Sequence, residues 1–276
     1  MGRRLAAAFG RFALLALLFY ALVLGLMLLG SRATVYPFVH DSDVRSPSGL
    51  PGIGLASLRS PSGAEVMAWV VPPAPGRPVV VVFTGNAGQM WQGVARAEPL
   101  VSAGYGAAIL SYPGANGAPG RPDEATITDA ALGLVAYLRQ RYPQAPPPVL
   151  FGMSLGAAVA IRVALTELAG ALVLEAPFTS VWDVARVHYP FLPRFSLLRH
   201  SRWESLAAAP RVGLPALVLH GGRDRIIPPD QGRRIAEALG GNDTTFHLLP
   251  GSGHNDMHLH GADAQVRAFL DRLYPD

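Results

Sequence analysis

Apolar positions along this chain follow two different patterns. The first is one unbroken stretch, "FALLALLFYALVLGLMLLG", which occupies residues 12–30 and carries no charge. At about 1.5 Å of rise per residue, its length as a helix is about 28 Å, close to the roughly 30 Å hydrocarbon thickness of a bilayer. The second pattern begins near residue 54. There "GLASLRS" and "EVMAWVVP" flank Ser60-Pro61-Ser62-Gly63, which predicts a hairpin of strands at 55–59 and 65–71. Beyond it come continuous runs rich in β-branched residues: "PVVVVFTG", "YGAAILSY", "PVLFGM", "ALVLEAPF", "PALVLHGG" and the more polar "TTFHLLPG". Such runs are expected of strands buried on both faces. Helical spacing fills the gaps at 89–102, 123–141, 155–169, 229–239 and 263–273.

Strands alternating with helices of this length predict an α/β fold, a doubly wound and mainly parallel sheet covered by helices on both faces. No internal repeat is evident, which argues against a solenoid. The opening hairpin and the residues at the strand ends argue against a closed barrel. The chain then divides into a membrane-anchoring segment at 1–33, a tether or irregular lead-in at 34–53, and one domain at 54–276.

Arg3, Arg4 and Arg11 precede the apolar stretch and only Arg32 follows it closely. That bias places the N-terminus in the cytoplasm and the domain on the non-cytoplasmic side. A cleaved signal peptide is the competing reading, with Ser31-Arg32-Ala33 as a small-x-small site. The stretch exceeds the usual signal core of about 7 to 15 residues, which favours a retained single-pass anchor.

Composition narrows the chemistry. Of 276 residues half are apolar, ample for a sizeable core, and all 23 basic residues are arginine. Without lysine there is no Schiff base, phosphate-loop lysine or Ser-Lys dyad. Without cysteine there is no thiol nucleophile, thiolate metal site or disulfide. The net charge of +4 is modest and no nucleic-acid motif accompanies it, so no nucleic-acid partner is expected.

In an open parallel sheet, ligands bind beyond the carboxyl ends of the strands. One such end gives Gly152-Met153-Ser154-Leu155-Gly156, followed at once by helical spacing. A serine between strand and helix in G-x-S-x-G sits on a tight turn whose flanking positions must be small. The Leu155 peptide N–H, at a helix start, can donate to a developing oxyanion. A serine hydroxyl needs a base, and the base an orienting acid. Asp224 ends "LVLHGGRD" and His254 ends "HLLPGSGH", giving the chain order Ser, Asp, His.

With "FTGNAGQM", "GMSLG", "LEAPFTS", "HGGRDRIIP" and "GSGHND" on the page, the chain resembles an α/β-hydrolase from about residue 54 onward. It is similar to membrane-anchored serine hydrolases related to serine aminopeptidases and lysophospholipases. The resemblance implies that Ser154 is the nucleophile, Asp224 the acid and His254 the base, with no metal or organic cofactor. It also implies that the loop Gly85-Asn86-Ala87-Gly88 supplies a second oxyanion donor, the Asn86 N–H, beside Leu155. Relatives usually carry His before that glycine, where this chain has Thr84.

Other readings compete at particular residues. Glu175 is a second carboxylate at a strand end. His254, Asp256, His258 and His260 invite a metal reading, though no HExxH pattern is present. His220 reads as a packed, hydrogen-bonded histidine. Trp69, Trp91, Trp182 and Trp203 read as core or lid anchors. Residues 177–214 exceed a plain crossover and hold "VHYPFLPRFSLLRHSRW", where the family often builds a cap. An apolar cap with Arg194, Arg199 and Arg202 suits a lipid-like acyl substrate with a polar or anionic head, or a surface lying on anionic lipid. A binding or scaffold protein without turnover is the alternative from another class, encouraged by Thr84, and an aminopeptidase-like amide hydrolase is the third.

Overall fold

The computed structural model describes residues 2–191, 201–241 and 243–275. Its strands are Gly54–Arg59 (β1), Glu65–Val71 (β2), Val79–Phe83 (β3), Gly106–Leu110 (β4), Val149–Met153 (β5), Ala171–Glu175 (β6), Ala216–Gly221 (β7) and Thr244–Leu249 (β8). They form one sheet in the order β1-β2-β4-β3-β5-β6-β7-β8. β2 pairs antiparallel with both β1 and β4, and the pairings from β4 through β8 are parallel. The α/β, doubly wound, mainly parallel architecture expected from the alternating pattern is therefore the one observed.

The β-branched runs explain the centre of the sheet. Val79, Val81 and Phe83 face one core, while Val80 and Val82 face the other, because successive side chains of a strand point to opposite sides. Helices Glu124–Arg141 (α3), Leu155–Val163 (α4) and Pro229–Ala238 (α7) contribute to the first core, with Ile127, Leu134, Val159 and Ile235 buried there. Helices Met90–Val101 (α2) and Ala262–Leu273 (α8) cover the other with Met90, Leu100, Phe269 and Leu270.

Local chemistry sets the helix ends. Asp123 caps α3, accepting from Thr126 N at 2.8 Å, while Thr126 Oγ1 accepts from Asp123 N at 3.0 Å. α4 stops at Val163, short of the expected 169. The Thr166 hydroxyl donates to the Val163 carbonyl at 2.7 Å, a local bond that competes with continuation of the helix.

The N-terminal helix Gly2–Val35 (α1) runs through the whole apolar stretch, and Leu5–Met27 is long and apolar enough to cross a membrane. The lead-in that follows is irregular but fastened to the domain. Tyr36, Val44 and Leu50 are buried, Trp69 Nε1 donates to Val44 O at 2.6 Å, and His40 Nδ1 accepts from Asn116 N at 3.0 Å. After β6 come helix Val181–His188 (α5) and, later, helix Ser205–Ala208 (α6). Arg194 and Arg199 of the expected cap lie outside the described residues.

Candidate active site

Ser154 stands between β5 and α4 with φ 54° and ψ −113°. A side chain other than glycine in that region costs about 1–3 kcal/mol and persists only where its surroundings enforce it. The neighbouring glycines explain the enforcement. A Cβ on Gly156 would fall on the Phe83 carbonyl, and one on Gly152 would meet the backbone of Gly156 and Ala157. β5, α4 and β3 thus approach too closely for any side chain at either flank. Ser154 N is held by Glu175 O at 2.8 Å.

Asp224 and His254 arrive from the next loops along the sheet edge. His254 Nδ1 lies 2.7 Å from Asp224 Oδ2. The other oxygen, Oδ1, accepts the N–H groups of Ile226 and Ile227, both at 2.8 Å. His220 Nε2 sits 3.0 Å from Ile227 O and 3.4 Å from Asp224 Oδ2, so one buried N–H spans loop and carboxylate. Burial of Asp224 opposes its charge, but the contacts from His220, His254 and Ile227 N–H outweigh burial and hold the carboxyl well below its usual range. His220 is a packed, hydrogen-bonded histidine, as the sequence suggested.

Ser154, Leu155, Asn86 and His254 all line one cavity of about 490 Å³. Asp224 is buried behind His254. Gly85 brings its backbone to the serine turn, and a Cβ there would lie 3.9 Å from Ser154 Cβ. The lead-in and the turn after β4 clamp this loop: Val39 N donates to Ala87 O at 2.9 Å, and the Asn116 amide donates to Gly88 O at 2.8 Å. Asp41 accepts from Met90 N and Trp91 N at 3.3 and 3.5 Å, capping α2 from outside. Thr84 itself is buried behind the loop. Its carbonyl accepts the Tyr112 hydroxyl at 2.6 Å, and its own Oγ1 has no protein partner.

Two sequence alternatives take other roles here. Glu175 lines the cavity but pairs with Arg96, whose Nε donates to Oε2 at 3.0 Å. The His254 Nδ1 partner is Asp224. Asp256 is engaged in its own loop, accepting from Ser252 Oγ and Gly253 N at 2.8 and 2.7 Å, and these bonds, the Ser252 one foremost, lower its pKa. Among the described residues no three His, Asp or Glu side chains converge as a metal cage.

Sequence reasoning missed several cavity members. Met27, Ser31, Thr34 and Val35 of α1 line it, as does Arg96. Arg96 carried a signal: it falls in phase with the buried α2 positions Met90, Gly93, Ala97 and Leu100. Trp182, Val184 and Ala185 of α5 line the cavity too, and His188 Nε2 meets Ile226 O at 2.9 Å.

This arrangement can be set beside known proteins. A family model described as "Alpha/beta hydrolase family" matches residues 74–216, and one described as "Serine aminopeptidase, S33" matches residues 198–258. The chain belongs to the alpha/beta hydrolase family. Membership makes it a hydrolase, and the resemblance read from its motifs holds. An uncharacterized protein of Mycobacterium tuberculosis is 35% identical over 206 residues, covering 73% of this chain and 72% of the relative. The lysophosphatidylserine lipase ABHD12 of Danio rerio is 29% identical over 196 residues, 61% of this chain and 50% of that one. Among solved structures, the esterase Pf2001 of Pyrococcus furiosus superposes with TM-score 0.71 at 16% identity, covering 87% of this α/β-hydrolase and 99% of that chain, a likeness of fold.

Proposed function

We propose that this α/β-hydrolase cleaves carboxylic esters or thioesters through an acyl-enzyme. Ser154 Oγ attacks the carbonyl carbon while His254 Nε2 takes its proton. The Asn86 and Leu155 N–H groups hold the oxyanion, and Asp224 fixes the imidazole with its free nitrogen toward the serine. Collapse breaks the bond to the alkoxide or thiolate, which leaves with the proton from His254. Water then attacks the acyl carbon, its proton going to His254 and onward to Ser154 as the carboxylic acid departs.

The 2.7 Å contact between His254 Nδ1 and Asp224 Oδ2, beside the cavity that holds Ser154, carries this reading. The lipase named among the relatives and the apolar walls favour acyl substrates with a lipid-like chain. The serine-aminopeptidase match favours amides instead. An aminopeptidase needs an acid for the substrate ammonium, and Glu175, the one carboxylate lining the cavity among the described residues, has its charge compensated by Arg96. We therefore rank esters first. Hydrolysis of a panel of acyl esters, thioesters and aminoacyl amides by the wild type and Ser154→Ala tests this. Ester and thioester turnover lost in the variant supports it, and turnover of amides alone replaces it.

The apolar N-terminal helix supports membrane association. We read residues 1–33 as a retained anchor and the domain as non-cytoplasmic. Arg3, Arg4 and Arg11 bias the N-terminus inward, and α1 continues without a break into the buried Tyr36, which argues against cleavage after Ala33. Residues 177–214 then act as the cap, with α5 and α6 in its described parts. Protease accessibility of the domain in intact cells, with and without outer permeabilisation, tests the sidedness.

A further inference from the structure

We infer that the anchor helix forms one wall of the acyl-binding cavity, and that a single-chain ester amphiphile reaches Ser154 sideways from the bilayer, between α1 and α5. This rests on the ester-hydrolase reading above and names where its substrate comes from.

Met27, Ser31, Thr34 and Val35 recur at helical spacing on one side of α1 and line the same cavity as Ser154 and His254. Met27 is the last residue of the apolar span Leu5–Met27. At about 1.5 Å per residue, Val35 lies only about 12 Å further along the axis. The α1 wall of the cavity therefore begins where the apolar span ends.

The α5 side of the cavity also reaches the span. Trp182, Val184, Ala185 and Tyr189 line the cavity from the α5 side. The Tyr20 hydroxyl, inside the span, donates to Phe191 O at 2.8 Å, so the chain after α5 runs beside the apolar helix about 10 Å before Met27. Tyr189 and Phe191 meet edge-on at 6.2 Å between centroids and, with Val187, are exposed. Exposed apolar side chains beside the span suit contact with lipid.

The wall is fixed in place. Tyr36, the residue after α1, donates its hydroxyl to Ser201 Oγ at 2.8 Å and accepts from Trp203 Nε1 at 2.9 Å, and all three are buried. Arg32 Nη2 lies 3.7 Å from Asp123 Oδ2. An acyl chain passing from lipid along this wall enters a cavity whose lining is mainly apolar, which favours its transfer out of water. A volume of about 490 Å³ falls in the range that one small ligand fills, which is why one chain is named.

The test uses the full chain in phosphatidylcholine vesicles, with p-nitrophenyl acetate as the short ester and p-nitrophenyl palmitate as the long one. Ser31→Trp narrows the cavity wall, while Leu14→Trp alters an exposed span position outside the cavity lining. The palmitate-to-acetate ratio of kcat/KM falls tenfold or more in Ser31→Trp and stays within about twofold in Leu14→Trp. An unchanged ratio in Ser31→Trp, whether both activities persist or fall together, overturns the wall. In the wild type, palmitate hydrolysis at fixed bulk concentration falls as the ester is diluted with more phosphatidylcholine. A rate set by bulk concentration alone overturns the sideways route. Wild type that hydrolyses neither ester overturns the hydrolase reading and this inference together, whereas acetate turnover with either contrary result overturns this inference only.

Discussion

Arg96 on α2 donates its Nε–H to Glu175 at the end of β6, 3.0 Å away, with both side chains buried. Burial raises the Glu175 pKa, and the Arg96 charge and hydrogen bond oppose that rise. The pair joins the helix that follows the Gly85 loop to the strand whose carbonyl holds Ser154 N. Removing one partner strands a buried charge, at a cost of about 3–5 kcal/mol. Glu175→Ala and Arg96→Ala are each expected to lower urea stability by that amount, and Arg96→Met with Glu175→Leu to recover most of it. Single-variant losses under about 1 kcal/mol would remove the pair from any account of stability.

Gly156→Ala is expected to be far more damaging than an ordinary glycine replacement. Its Cβ meets the carbonyls of Phe83, which ends the central strand β3, and of Thr84 just beyond it, and this backbone cannot turn aside. A loss at or above the upper end of the usual overpacking range, about 3 kcal/mol, follows. Gly213→Ala, where nothing lies within 4 Å, is the comparison and should change thermal stability little.

Asp41 supplies from the lead-in the N-terminal cap that Gln89 does not provide. Asp41→Ala is expected to cost about 1 kcal/mol and to raise amide exchange in the first turn of α2. Exchange confined to the lead-in itself would contradict the cap.

Asp224 carries a pH signature. Its folded pKa is depressed, so it adds stability that is complete above its unfolded value, about 3.9, and that erodes as pH falls below this toward the lower folded value. Chemical denaturation should show Asp224→Asn losing that acid dependence between about pH 4 and pH 2. In the proposed mechanism the same substitution lowers kcat by about 10⁴, because the amide favours the wrong imidazole tautomer.

Much of this was legible in advance. The strands were readable because a sheet covered on both faces demands unbroken β-branched runs, and Val79–Phe83 is one. The order of Ser154, Asp224 and His254 followed from which strand ends bear chemistry. The lead-in was harder, since Tyr36, Val44 and Leu50 obey no period and its other ties run through single side chains such as His40 and Asp41. The part played by α1 was hidden for another reason. A uniformly apolar helix gives no pattern from which to tell the side that faces protein from the side that faces lipid, and Ser31 and Thr34 lie beyond its apolar span.

The central claim is that Ser154 is a nucleophile activated by His254. Treatment of the folded wild type with a fluorophosphonate, followed by peptide mass spectrometry, tests it most directly. One adduct is expected, on Ser154, absent in Ser154→Ala and formed about a thousandfold or more slowly in His254→Ala. No adduct on the folded wild type, or an adduct that persists in Ser154→Ala, would contradict it.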